Sequence, residues 1–219
     1  MTAPRTLLHL IRHADAIPEA NGPVSTGGYE DLSLSARGVA QAAALAERIA
    51  SGGARPVAIY ASPTLRAHET GLAIARAMKL DVVPDQRLRE IYLGAEPATT
   101  LAPDARAAAV RARLEELAAI ALRDGSWAAV PDCEPGSEVR ARMRAAVADI
   151  VARHEGEHIA LVSHAGSINA YLADVLGLTR DFVFPIGNTS LSTVRFSEHP
   201  PMVVRINDTA HLESLGARP

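Results

Sequence analysis

The chain has 219 residues, 48% of them hydrophobic and 21% charged, which suits one domain with a sizeable core. A formal net charge of -3 and an aromatic content of 4% argue against a nucleic-acid partner and against an aromatic stacking platform. The single cysteine, Cys133, excludes an internal disulfide and a cysteine-built zinc site, and the short apolar run broken by His9 near the N-terminus is no signal core or membrane span, so a cytoplasmic protein without membrane association is expected.

Leu7 to Ile11 reads as a buried strand that stops at Arg12-His13. Ser33 to Ser51 is helical, with apolar residues at Leu34, Val39, Leu45 and Ile49. Val57 to Ala61 is a second strand. Ser62-Pro63 then has the form of an N-cap followed by proline at the first helical position, opening a helix that runs to about Lys79. Leu80 to Val83 is a third strand, closed by Pro84. Pro97, Pro103, Pro131 and Pro135 bracket an alanine- and arginine-rich helix over about Asp104 to Arg123. This stretch reads as a cap-like insertion, at about 96–135, in a single domain spanning 1–219. Ser137 to Arg153 is helical, Ile159 to Val162 a strand and Ser167 to Leu176 a helix. Ser190 to Phe196 and Met202 to Ile206 close the chain as antiparallel strands. The alternation implies an α/β fold, a mainly parallel sheet with helices on both faces.

Three strands end alike: one is followed by Arg12-His13-Ala14, one by Ser62-Pro63-Thr64-Leu65-Arg66, and one by Ser163-His164-Ala165-Gly166. C-terminal strand ends line the ligand crevice of open α/β sheets, so two arginines and two histidines should converge there, beside helix N-termini that favour anions. Such a cluster suits a phosphate, sulfate or carboxylate. A neutral imidazole can attack phosphorus, and adjacent arginines keep it neutral while stabilising the transferred group. The leaving oxygen needs a proton, and Glu90, in Leu88-Arg89-Glu90, is placed to donate it. Competing signatures fail. Six positions beyond Cys133 stands Val139 where a cysteine phosphatase needs arginine, no phosphate loop or nucleophile elbow occurs, and His13-x-Asp15 is the only hint of a metal ligand pair. Neither a metal nor a cofactor is expected.

With these residues in view, the sequence resembles the histidine phosphatase superfamily, the phosphoglycerate mutase-like family. The family's Arg-His-Gly appears as Arg12-His13-Ala14, and its Ser-Pro-x-x-Arg-Ala-x-Glu-Thr is matched from Ser62 to Thr70. Its Leu-x-Glu-x-x-x-Gly is matched by Leu88, Glu90 and Gly94. Its Gly-Glu-Ser-type segment is approximated by Gly136-Ser137-Glu138, with Arg142 following. Its Ser-His-Ala/Gly-Gly is matched from Ser163 to Gly166, and its Asn-Thr-Ser at Asn188-Thr189-Ser190. The resemblance implies His13 as nucleophile, Arg12, Arg66 and His164 as the phosphate pocket with His164 also serving catalysis, and Glu90 as proton donor.

Departures bear on the substrate. Ala14 replaces glycine, Ala16 and Glu19 stand where many members carry Ser/Thr and Asn, with Asn21 and Ser25 as candidate substitutes, and Gly94-Ala95-Glu96 replaces a Trp-Glu-Gly. Glu69 reads as a local cap or pair, and His68 as an open candidate for the pocket. His9, His154, His158, His199 and His211 read as structural or surface residues, and Arg106, Arg111 and Arg113 as a solvated helix face. The expected activity is metal-independent hydrolysis of a small phosphorylated substrate through a phosphohistidine. The alternatives are a cofactor-dependent phosphoglycerate mutase, a phosphohistidine phosphatase acting on proteins, or a non-catalytic phospholigand-binding module. A homodimer is left open.

Overall fold

A computed structural model describes residues 5–16, 32–53, 55–92, 123–130 and 132–216, with isolated positions at 112, 115–116 and 119–120. Most of the expected cap helix, and the positions of Glu19, Asn21, Ser25, Gly94, Glu96, Arg106, Arg111 and Arg113, lie outside these residues. The positions described between 112 and 124 are helical.

Six strands form one sheet in the order β3-β2-β4-β1-β5-β6. They are β1 (Thr6–Arg12), β2 (Ala58–Ala61), β3 (Val82–Pro84), β4 (His158–Ser163), β5 (Leu191–Phe196) and β6 (Met202–Asp208). The first four in that order run parallel, whereas β5 pairs antiparallel with β1 and β6 antiparallel with β5. The final pair is antiparallel because only a short turn joins it, while the parallel strands are linked by helices. Pro84, which has no N–H for a ladder, is accommodated in the edge strand β3.

The central strands are apolar on both sides because both sides are covered. Leu8, Leu10, Tyr60, Ile159 and Leu161 pack with Val139, Met143, Val147 and Ile150 of α3 (Gly136–Arg153) and Ile168 and Leu172 of α4 (Ala165–Val175). The alternate residues Ile11, Ile59, Ala61, Ala160 and Val162 pack with Leu45 and Ile49 of α1 (Ala36–Ser51) and Ala67 and Ile74 of α2 (Leu65–Met78). Period-two strands thus serve two helical layers at once. Among the described residues no helix is long and apolar enough to cross a membrane.

Four helix starts differ from the sequence expectation, that of α3 by a single residue, at Gly136 instead of Ser137. α1 begins at Ala36, because Ser35 is its cap and accepts the Gly38 N–H at 3.0 Å. α2 begins at Leu65 with Thr64 at the cap position, which places Pro63 outside the helix and frees the Ser62 hydroxyl for another partner. α4 begins at Ala165, ahead of Ser167, because the chain turns directly out of β4 through His164.

Candidate active site

The parallel register aligns Arg12 with Ser163 and Ala61 with Val162, so β1, β4 and β2 end side by side. His13 and Ser62 extend the ladders, their N–H groups donating to the carbonyls of Ser163 and Val162, each at 2.9 Å. His13, Arg12, His164 and, one residue into α2, Arg66 are therefore delivered to one place, as the strand-end reading expects.

The His13 Nδ1 lies 2.7 Å from the Ala14 carbonyl oxygen. A carbonyl only accepts, so Nδ1 carries the ring proton and Nε2 presents its lone pair. Arg66 Nε lies 3.3 Å from that Nε2, and Arg66 Nη2 lies 3.4 Å from His164 Nδ1. The two imidazoles meet edge to face with centroids 5.0 Å apart. The other His164 nitrogen, Nε2, is 3.0 Å from the Ser62 hydroxyl. Arg12 donates through Nη1 to the Ile186 carbonyl at 2.7 Å, while its buried Nε has no hydrogen-bond partner among the described residues. An orphaned guanidinium N–H beside two imidazoles is a fit for an anion.

Burial, reinforced by Arg66 and Arg12, lowers the His13 pKa to about 3, against a smaller opposing pull from the Ala14 carbonyl. His164, fully buried, is driven well below the ordinary histidine value by burial first, then by His13, Arg66 and Arg12. Burial also lowers Arg12, partly offset by Glu90 and Asp15. Both rings are thus free bases at neutral pH.

Glu90 stands at the edge of this group, on the N-terminus of α4. Its carboxylate accepts from the backbone N–H groups of Ile91 (3.0 Å), Ser167 (3.0 Å) and Gly166 (3.2 Å). Gly166 makes this approach possible, since a Cβ there would lie 2.8 Å from Glu90 Oε1. Glu69 stays out of the cluster and accepts the Leu34 N–H at 2.8 Å, a local pairing.

Thr70, Asn188 and Thr189 lie in motifs matched in the sequence, but their contacts in support of the site were not legible there, and Gln41 was not singled out. Thr70, fully buried, accepts the Ala14 N–H at 3.0 Å. Asn188 donates to the His13 carbonyl at 3.0 Å, and Thr189 donates from its backbone to the Arg12 carbonyl at 3.0 Å. Thr189 adopts φ 54°, an unusual conformation for a β-branched residue, and its hydroxyl donates to the Asn188 carbonyl and contacts His211. Gln41 of α1 accepts the Asp15 N–H at 2.9 Å. In the Gly136-Ser137-Glu138 segment Ser137 and Glu138 are exposed, whereas the nearby Glu134 carboxylate is buried and pairs with Arg142 at 2.8 Å. Among the described residues no group of three or more His, Cys, Asp or Glu side chains could hold a metal ion.

The description of the histidine phosphatase superfamily (branch 1) matches residues 8–209. A protein of Proteus mirabilis named as a probable phosphoglycerate mutase GpmB is 31% identical over 216 residues, covering 95% of each chain. The solved structure of Bacillus stearothermophilus YhfR superposes with a TM-score of 0.76 at 25% identity, covering 94% of this chain and 99% of its own. A mycobacterial glucosyl-3-phosphoglycerate phosphatase gives a TM-score of 0.73 at 25% identity, covering 93% and 99%. Fold, the order of the strand-end motifs and these likenesses agree, and the chain belongs to the histidine phosphatase superfamily of enzymes.

Proposed function

We propose that this enzyme is a metal-independent phosphatase that hydrolyses a small phosphomonoester through a phosphohistidine on His13. The observation that carries this reading is the Nδ1 to Ala14 carbonyl bond, which leaves the Nε2 lone pair of a neutral ring facing Arg66. In this reading residues 1–219 form one domain with a cap-like insertion at about 96–135, and the enzyme works in the cytoplasm.

The phosphoryl oxygens occupy the space among Arg12, Arg66 and His164, where the guanidinium N–H groups stabilise the charge of the transition state. His13 Nε2 attacks phosphorus as the ester P–O bond breaks. The protonated Glu90 gives its proton to the leaving oxygen, and the alcohol departs. Water then attacks the phosphohistidine, Glu90 takes a proton from it, the P–N bond breaks with its electron pair returning to Nε2, and inorganic phosphate leaves. His13 enters and leaves this cycle as the neutral ring that its environment favours.

A second reading, phosphoglycerate mutase, is favoured by the name given to relatives such as the Proteus mirabilis protein. A mutase must shield its phosphohistidine from water and hold a second phosphate. Ala16, buried and apolar, and Glu19 offer nothing to a second phosphate at the positions where other members carry polar groups.

The test is turnover of sugar phosphates, phosphoglycerates, nucleotides and phosphopeptides in EDTA. Rapid quenching should trap an acid-labile, base-stable phosphate on His13, and His13→Ala should lose nearly all activity while remaining folded. Near wild-type turnover by His13→Ala removes the mechanism. Isomerisation of 3-phosphoglycerate that outpaces phosphate release promotes the mutase reading.

A further inference from the structure

Outside the phosphate pocket lies an ion pair that the mechanism above leaves unused. Glu134 is nearly inaccessible, with a side chain only 6% exposed, and Arg142 in α3 is 11% exposed. They meet as a fork on a fork: Arg142 Nε donates to Glu134 Oε1 at 2.8 Å and Nη2 to Oε2 at 3.0 Å. Arg89 adds a third charge-assisted bond to Oε1 at 3.0 Å. A buried ion pair of this kind is weak evidence for stabilisation, because desolvating both charges offsets much of their attraction. Its value lies in what the remaining hydrogen bonds hold.

Apart from a long contact of Arg142 Nη2 with the Ser167 hydroxyl at 3.5 Å, those bonds fall on the segment that carries Glu90. Arg142 Nη1 donates to the carbonyls of Arg87 (2.7 Å) and Arg89 (2.8 Å), and Nη2 to the carbonyl of Glu90 itself at 3.2 Å. Glu134 accepts the Tyr92 backbone N–H at 3.2 Å and returns its own N–H to the Tyr92 carbonyl at 2.8 Å. Backbone is thus gripped at 87, 89, 90 and 92, on both sides of the carboxylate. Ser163 and Ser167 hold the same stretch from β4 and α4, donating to the Leu88 and Arg89 carbonyls at 2.8 and 2.6 Å. A planar guanidinium can span three carbonyls and a carboxylate at once; an ammonium on a flexible stem cannot.

We propose that Glu134 and Arg142 are positioning residues for Glu90, fixing the distance between its carboxyl and the oxygen of the departing alcohol. This rests on the reading of Glu90 as proton donor. The pair also closes the chain on itself where the segment after Tyr92 leaves and the segment before Glu134 returns.

The prediction separates positioning from mere support of the fold. Proton donation matters for a poor leaving group and hardly at all for nitrophenolate. Glu134→Gln and Arg142→Lys should each lower kcat for an alkyl phosphate by about ten- to a hundred-fold, at or below the low end of a full general-acid effect because the acid is displaced and not removed. Loss on nitrophenyl phosphate should stay within about three-fold, a size that misplacement of the acid leaves to substrate binding. The double variant should lose no more than the worse single one, because both act on one target. Glu134→Asp, which keeps the charge but shortens its reach, should fall between and serves if Glu134→Gln does not fold. Glu90→Gln is run beside them. Selective loss in Glu90→Gln together with equal losses on both substrates in the Glu134 and Arg142 variants overturns the positioning role alone. Equal losses in Glu90→Gln as well overturn the proton-donor reading, and the positioning role with it.

Discussion

One hydroxyl joins the nucleophile's loop to the helix that carries a phosphate-binding arginine. Thr70 donates to the Arg66 carbonyl at 2.7 Å and accepts the Ala14 N–H at 3.0 Å, in a fully buried position. Thr70→Val keeps the shape and removes both bonds. The Ala14 N–H is then left buried without a partner, which costs about 1–3 kcal/mol. We expect a lower urea midpoint and a fall in kcat on nitrophenyl phosphate, with Thr70→Ser recovering most of both; unchanged midpoint and kcat in Thr70→Val would show that the bonds carry no weight. Thr70 also marks the limit of what the sequence discloses. Arg12, His13, Arg66 and His164 can be read from the sequence because each follows an apolar strand or opens the next helix. Thr70 and Ala14 are 56 residues apart, and Asn188 and His13 are 175 apart, so no local pattern announces their contact. Glu134 was hidden by a different cause. A Gly-Ser-Glu order at 136–138 offered a nearer match to a familiar motif, and only burial distinguishes the carboxylate that faces Arg142 from the one that faces water.

At the level of elements, strands were more legible than helix starts. The central strands β1, β2 and β4 stand in the sequence as apolar runs, and two-sided burial leaves that pattern nearly uninterrupted. Helix starts depend on which hydroxyl finds the first-turn N–H groups, and Ser33, Ser35 and Ser62 are all plausible caps by type. Ser35 caps α1 because Asp15 draws it in: its N–H donates to the Asp15 carbonyl at 3.0 Å and its hydroxyl to Oδ2 at 2.6 Å. The first turn of α1 is thereby pressed against the loop that follows His13. Gly38 makes that contact possible, since a Cβ there would fall well inside van der Waals distance of the Asp15 carbonyl. In an open helix Gly→Ala stabilises by about 1 kcal/mol. Here the sign reverses, because neither backbone can yield without moving the nucleophile's loop. Gly38→Ala should therefore lower both the melting temperature and kcat. A higher melting temperature with unaltered kcat would mean that α1 and the loop slide apart freely.

For the molecule as a whole, the interior holds several histidines as free bases. Burial lowers His13 to about 3 and His9 and His211 each to about 4, from an ordinary value of 6.5. Each therefore binds its proton more readily when the chain is unfolded. Where the unfolded state holds more protons, stability rises with pH. Each of these groups thus contributes a stability that is complete above pH 6.5 and drains away as pH falls toward its folded value, about 3 for His13 and about 4 for the other two. His9 is the cleanest probe. It lies in β1 away from the strand end, nearly inaccessible, with Nδ1 at 3.1 Å from the Thr193 hydroxyl. Its lowering comes first from burial, then from the nearby His158 and Arg205, and not from the phosphate pocket. His9→Gln keeps a polar partner for Thr193 and removes the titrating ring. Unfolding by urea, followed from pH 4 to 7, should show a shallower dependence in the variant between pH 4 and 6.5, by at most about 1.4 kcal/mol per pH unit, the equivalent of one proton. Turnover at pH 7 should be unchanged. Superposable pH profiles for the two proteins would show that His9 takes up its proton as easily in the fold as outside it. The same physics separates stability from chemistry in this enzyme. With His13 a free base down to about pH 3, a fall in kcat/KM between pH 7 and 5 has to come from the substrate phosphate or from loss of the fold, and the His9 variant distinguishes the second of these.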